Sequence, residues 1–267
     1  MLADESALTV RLAQDARDLK AAQRLRYEVF VAELGADGPM VDHAARLECD
    51  EFDDRFDHLL LIDRRRDAGR LEDVVGVYRL LPSDRVGDGQ RFYSEGEFDL
   101  SALRATGRRL LELGRSCVHR DHRGGAAMVM LWNALADYVL DRGIEILFGA
   151  ASFPGTDVAR LEQPLSWLHQ NHLAPEGLRV RAQLPDRQRM DLLPPDRIDP
   201  RAAQAATPAL IKAYLRLGGF VGEGAWIDRA FNTTDVCLVM DTARMSARHR
   251  DYYTRGRVDD RPVGAQA

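Results

Sequence analysis

The stretch that most constrains the fold is "RRLLELGRSCVHRDHRGGAAMVMLWNALADYVLDRGIEILFGAAS", residues 108–152. It reads as a strand (108–118), a basic turn with two glycines, an apolar helix (126–143) stopped by Gly143, and a second strand (144–152). Strand, crossover helix and strand make a βαβ unit, which sets two parallel strands in one sheet with a helix across one face. The runs around it are of another kind. "HLLLID" (58–63) and "VVGVYRLLP" (74–82) are apolar and β-branched, and the charged turn "RRRDAGRLED" between them marks an antiparallel hairpin. "LTVRLA" (8–13) predicts a first strand. Asp15 then caps a helix running to about Phe30, in which Leu19, Ala22, Leu25 and Val29 recur at helical spacing.

After residue 152 come a short helix near "PLSWLHQN", a Pro- and Arg-rich stretch (179–208), a helix in "PALIKAYLRLGG" and a final strand, "TTDVCLVMD" (233–241). This order predicts an α+β fold with a mixed, mostly antiparallel central sheet flanked by helices. Residues 1–255 form a single domain in this reading, with a polar tail over 256–267. The long C-terminal insertion before the last strand, about residues 153–230, is either a lid or a cover for the sheet edge.

Charge and cysteine content remove several functions. A formal net charge of −5 argues against a nucleic-acid binder that works by bulk electrostatics. Lys20 and Lys212 are the only lysines among 37 basic residues, so an isolated arginine carries little information. Cys49, Cys117 and Cys237 are widely spaced without a CxxC pair, which disfavours a disulfide framework and a structural zinc site and suits a reducing cytoplasm. No apolar run approaches spanning length, so any membrane contact is expected at the surface.

Three clusters can carry chemistry. The turn after Val118 offers backbone N–H groups at a helix N-terminus, flanked by Arg120, His122 and Arg123 and containing Gly124 and Gly125, which suits an anion. In the strand before it, Glu112 and Arg115 would face opposite sides if the strand were regular. Gly114 between them is the expected place for a bulge that re-aims one side chain and frees an N–H for the oxyanion of a thioester. In "LECDEFDDRFDH" the acids Glu48, Asp50, Glu51, Asp53, Asp54 and Asp57 crowd together. A calcium loop would need a turn glycine and a closing glutamate that are absent, so no metal is expected; a solvated acidic loop and a pocket for a cationic amine both remain open. Cys117 could form an acyl-enzyme, although a buried core cysteine is the commoner situation.

The turn resembles the pyrophosphate loop of the GCN5-related N-acyltransferases (GNAT), opened here by Arg123. Ala126 and Met128 stand where that family has small residues. A methionine obstructs a diphosphate, whereas the single phosphate of a phosphopantetheine arm tolerates it. "LRYEVFVAELG" (25–35), "ECDEFDD" (48–54), "YRLLP" (78–82) and "ELGRSCV" (112–118) resemble the acyl-homoserine-lactone synthases, N-acyltransferases of that fold with acyl carrier protein donors. The matching positions are Arg26, Phe30, Glu48, Asp50, Asp53, Arg79, Glu112 and Arg115. "GAASFPGTD" (149–157) and the stretch 208–240 resemble the bacterial ornithine N-acyltransferases, which make lyso-ornithine lipid from ornithine and a 3-hydroxyacyl carrier protein, the first step of ornithine-lipid synthesis. This likeness covers residues 8–253.

The resemblance implies a GNAT-like acyltransferase fold and a set of roles. Glu48 is the first choice for base and Glu112 the second. Arg26, Phe30, Asp50, Asp53, Arg79 and Arg115 belong to the substrate pocket, and Arg120, Arg123, Gly124 and Gly125 to the carrier site. No cofactor is expected to be tightly bound; the 4′-phosphopantetheine of the acyl carrier protein serves as donor arm. The implied partners are that carrier and ornithine, and the implied place is the cytoplasm, at the surface of the cytoplasmic membrane. Arg108, Arg109 and Arg64 to Arg66 are further candidates to receive the acidic carrier. Phe148, Phe153, Trp167, Leu168, Trp226 and Phe231 could line an acyl slot, and Lys212 with Arg216 could hold the amino-acid carboxylate. Two alternatives stay open: an autoinducer synthase whose amine is S-adenosylmethionine, and a non-catalytic carrier-protein or lipid-binding module.

Overall fold

The computed structural model describes residues 7–87, 89–123 and 126–244. Asp15 is extended and its side chain accepts the N–H of Asp18, which starts helix α1 (Ala16–Arg26) directly after strand β1 (Leu8–Leu12). The apolar spacing runs past Arg26, and so does the winding. Tyr27–Glu33 continues as a π-helical stretch, a wider turn that re-aims its side chains and often marks a functional site.

Strands β2 (Asp57–Asp63) and β3 (Val74–Pro82) form the expected hairpin. β4 (Leu110–Val118), helix α2 (Ala126–Arg142) and β5 (Ile146–Pro154) form the βαβ unit. Helix α3 (Glu162–His172), β6 (Arg187–Gln188), α4 (Pro200–Ala206), α5 (Ala209–Arg216), β7 (Phe220–Val221), β8 (Ala225–Asp228) and β9 (Thr233–Asp241) complete the chain. Among the described residues they make a nine-stranded sheet in the order β1-β2-β3-β4-β5-β9-β8-β6, with β7 also on β9. Only β4 and β5 pair in parallel.

Alternation along the strands sorts the two faces. Leu60, Ile62, Val77 and Cys117 pack under α1, while Leu59, Leu61, Leu111 and Leu113 pack with Leu131 and Leu135 of α2. The long excursion belongs to this body. Leu165 and Leu168 of α3 are wholly buried in the main core, and β8 and β6 continue the sheet beyond β9, which is therefore an interior strand.

Two irregularities of β4 shape everything that follows. First, β4 and β5 pair only where Leu110 to Glu112 meet Ile146 to Phe148; beyond that β4 stays with β3, β5 stays with β9, and a cleft opens between them. Gly149 sits at the fork, where a Cβ would fall 2.1 Å from the carbonyl oxygen of Leu113. Gly149→Ala is therefore expected to cost about 1–3 kcal/mol through overpacking against rigid backbone. Urea unfolding checks this, and an unchanged midpoint would show that the fork has room to spare.

Second, Val77 pairs with Cys117 and Arg79 with Gly114, so Arg115 and Ser116 together oppose Tyr78 in a β-bulge. The left-handed residue is Arg115, at φ 49°, where the sequence suggested Gly114. A non-glycine residue in that region costs on the order of 1–3 kcal/mol and persists only where its surroundings hold it. The contacts of the Arg115 side chain supply that hold.

Candidate active site

Six of the residues singled out in sequence close into a ring of alternating charge. Arg26 bonds Glu48 and Asp53, the latter at 2.6 Å; Arg79 bonds Asp53 and Asp50, each at 2.8 Å; Arg115 bonds Glu48 at 3.1 Å and lies 3.5 Å from Asp50. Three guanidiniums thus meet three carboxylates, and Arg26, Glu48 and Arg79 are each 0% exposed. The acidic loop is therefore not solvated at these positions: its carboxylates neutralise buried arginines. Burial by itself would raise the Asp53 carboxyl, but the hydrogen bond and charge of Arg26 and the charge of Arg79 outweigh it and hold the group below the usual range. Glu48, expected as the first-choice base, lies between two guanidiniums and lines neither of the two cavities described below, a position suited to holding Arg115.

A cavity of about 320 Å³ occupies the fork between β4 and β5. Glu112 and Arg115 both line it, because the bulge removes the alternation that would have set them on opposite faces. Glu112 is buried and accepts the backbone N–H groups of Tyr93 and Ser94 at 2.8 and 2.6 Å. Burial raises its carboxyl, and these hydrogen bonds offset the rise only in part. The Arg115 guanidinium lies 4.7 Å from the Tyr93 ring centroid and 4.5 Å from that of Phe231, and it donates to the Tyr93 hydroxyl at 3.1 Å. Phe30, on the π-helical stretch, meets Phe231 edge-on and also lines the cavity. Through the fork the cavity reaches the opposite face of the sheet, where Tyr78, Leu147, Leu238 and Met240 line it.

Three acids that the sequence reading passed over lie in the same cavity. Glu97, Asp228 and Asp235 are buried, and their nearest carboxylate oxygens all lie within 4.8 Å of one another. Burial, with the charges of Asp235 and Asp228, pushes Glu97 well above the ordinary carboxylate range, and burial raises Asp235 to about 6. The available signal was Asp235, a lone acid in the apolar strand "TTDVCLVM". Glu97 in "YSEGEFDL" carries none.

A second cavity, about 610 Å³, adjoins the first and shares Phe30, Leu34, Ser116 and Leu210 with it. Val129 and Trp132 of α2 line it, with Arg123 and Arg216. Arg123 is occupied: it pairs with Glu33 and donates to the carbonyl of Val118 at 2.9 Å. Arg120 is exposed beside Asp121, and Gly124 and Gly125 lie outside the described residues, as does the polar tail. Arg108 is bound to Asp241 and Arg109 to the carbonyl of Arg142, both at the far end of β4 from the turn. Lys212 donates to the carbonyl of Gln204 at 3.1 Å. Of the aromatic residues considered for an acyl slot, Phe148 and Phe231 line the first cavity, and Phe153 with Leu168 fills the core.

Cys117 is buried under α1, and desolvation pushes its thiol up to about 12, which leaves almost no thiolate at neutral pH. Cys117→Ala is expected to retain parent turnover with no acyl adduct in the parent's mass spectrum. Lost activity together with a trapped adduct would establish a covalent route.

Comparison with known proteins gives the fold and the family. The acetyltransferase (GNAT) domain family matches residues 25–133. Over 261 residues, 98% of this chain and 100% of the other, the sequence is 64% identical to the L-ornithine N(alpha)-acyltransferase of Rhodobacter capsulatus. The protein of the same name from Rhizobium meliloti is 40% identical over 92% of this chain and 84% of its own. Among solved structures, FeeM, an N-acyl amino acid synthase from uncultured soil microbes, superimposes with a TM-score of 0.50 at 12% identity, covering 89% of this chain and 93% of that one, a likeness of fold.

Proposed function

This chain belongs to the L-ornithine N(alpha)-acyltransferases and is an acyltransferase of the GNAT fold, and from that premise we propose that it moves a 3-hydroxyacyl group from the phosphopantetheine arm of an acyl carrier protein to the α-amino group of ornithine, giving lyso-ornithine lipid. One observation carries the reading: Glu112 and Arg115 line a single cavity in the fork between β4 and β5. The arm enters through the second cavity, past α2 and Phe30, and extends into the fork, where backbone edges of both strands are free of each other. Met128 lines that entrance, which suits a single phosphate better than a diphosphate. The acyl chain takes the apolar side of the first cavity, where the paired hydroxyls of Tyr78 and Tyr214, 2.8 Å apart, offer a partner to a hydroxyl on the chain.

Glu112 accepts the proton of the α-ammonium, and the freed amine attacks the thioester carbonyl. A C–N bond forms, the C–S bond breaks, and the carrier thiol leaves with a proton. Arg115 and Ser116, out of register with β3, supply backbone N–H groups of the kind that stabilises a developing oxyanion. Holding amine and thioester together can contribute on the order of 7–11 kcal/mol, so direct transfer needs no enzyme-bound intermediate. No described helix is long and apolar enough to cross a membrane. The proposed reaction joins a carrier-borne acyl group to an amino acid, which places it in the cytoplasm, and exposed Leu34 and Val129 beside the entrance are the apolar side chains proposed to meet the membrane surface.

The test is purified protein with a 3-hydroxyacyl carrier protein and ornithine, scored by release of carrier thiol and by the mass of the product. Absence of acyl-ornithine would overturn the assignment. Equal turnover with coenzyme A thioesters would overturn the choice of carrier protein as donor.

A further inference from the structure

We propose that Glu97, Asp228 and Asp235 form a seat for the side-chain ammonium of a dibasic amino acid, so that a second positive charge on the acceptor is what this site selects. The inference rests on the amino-acid acylation proposed above. The three side chains are 6%, 8% and 5% exposed and line the cavity that also holds Glu112 and Arg115. What separates them from an ordinary acidic cluster is that two of their buried oxygens lack a donor. Oε2 of Glu97 and Oδ1 of Asp235 are buried without a hydrogen bond, although Ser152 and Thr233 hydrogen-bond the Asp235 carboxyl elsewhere and Oδ1 of Asp228 accepts the N–H of Phe231 at 2.9 Å. Buried carboxylate oxygens in that condition destabilise a fold unless a donor arrives. Arg115, the cation of this cavity whose charge acts on Glu97 and Asp235, is already committed to Glu48, Asp50 and Tyr93.

Position along the strands supports a substrate group. Glu112 pairs with Phe148, and extending that parallel register across the bulge, where Arg115 and Ser116 share one step, brings Cys117 level with Ser152, whose partner on β9 is Asp235. The carboxylates therefore stand one step past the bulge, across the fork from the groups proposed to meet the thioester. A primary ammonium has three N–H donors, one for each carboxylate. A hard divalent cation, the rival occupant, prefers six or more oxygens.

Two arms test the seat. In calorimetry without any donor, the unmodified protein should bind ornithine at least about 100-fold more tightly than norvaline, which has the same carbon skeleton and no terminal ammonium; sites built around buried polar groups reject ligands that leave them unpaired. Asp235→Asn and Glu97→Gln should each shrink that ratio at least about tenfold, and both variants should fold, because each is close to isosteric and neither adds a charge to a cluster in which burial already disfavours ionisation. In turnover, the ratio of kcat/KM for the two acceptors should fall in parallel. Equal binding of ornithine and norvaline by the parent overturns the seat, even where acyl transfer proceeds. Selective binding without thiol release supports the seat and overturns the donor reading instead. Saturable binding of Mg²⁺ or Tb³⁺ that both variants abolish, with turnover lost in EDTA, overturns the seat in favour of a metal site.

Discussion

Glu112→Gln is expected to lower kcat at neutral pH by about 10²–10⁴-fold, the range for loss of a positioned general base. The direction with pH makes the result specific. An α-ammonium with a pKa of about 8 is mostly protonated at pH 7, so an enzyme without its base must wait for the small neutral fraction that solution supplies. The variant's rate should therefore climb about tenfold per pH unit up to that pKa and then level, whereas the parent, whose carboxylate is ionised above its own raised pKa, should depend on pH less steeply. Substitution also disturbs the turn that Glu112 anchors. A glutamine oxygen can still accept one of the N–H groups of Tyr93 and Ser94, but its amide faces the other, an imperfection worth about 1–3 kcal/mol. Denaturation curves separate that cost from the catalytic one. A folded variant whose rate is low by the same factor at every pH would assign Glu112 to holding the turn and leave the proton to another group.

What the sequence displays and what it hides follow from the range of the forces involved. The βαβ unit, the hairpin and the Asp15 cap are local patterns, and each appears at or within a few residues of its expected place. The bulge was half legible. Gly114 announced an irregular strand, but the strained residue is Arg115, because its side chain is held by Glu48, Asp50, Tyr93 and Phe231, all remote in sequence. Composition could not decide whether the acids of the 48–57 loop are solvated, since that depends on Arg26, Arg79 and Arg115 arriving from three other elements. Asp228, Asp235 and Glu97 come from β8, β9 and a turn before residue 100, so only the fold makes them neighbours. Spacing likewise gave no warning that Arg123 would be spent on Glu33 rather than left for a phosphate.

The charged ring invites the harshest perturbation. Replacing a buried ion pair by apolar groups can be nearly neutral, but deleting one member strands its partners in a medium that cannot hydrate them, typically at about 3–5 kcal/mol. Glu48→Gln removes the carboxylate shared by Arg26 and Arg115, both inaccessible to compensating water at that contact, and is expected to lose stability in this range at pH 7. Activity should fall as well under conditions where the variant stays folded, because Arg115 keeps its left-handed backbone only while its side chain is anchored. Acid should find the same weakness. A carboxylate whose folded pKa is depressed contributes stability that is complete above its unfolded pKa, about 3.9 for aspartate, and is lost as pH falls through the folded value. Asp53, held down by Arg26 and Arg79, is such a group. The parent's unfolding free energy should thus decline below about pH 4, while Asp53→Asn, already less stable at pH 7, should show a flatter acid limb. If chemical denaturation finds Glu48→Gln within about 1 kcal/mol of the parent and the two acid limbs parallel, the ring does not bind the loop to the sheet, and Arg115 must owe its conformation to the rings of Tyr93 and Phe231 alone.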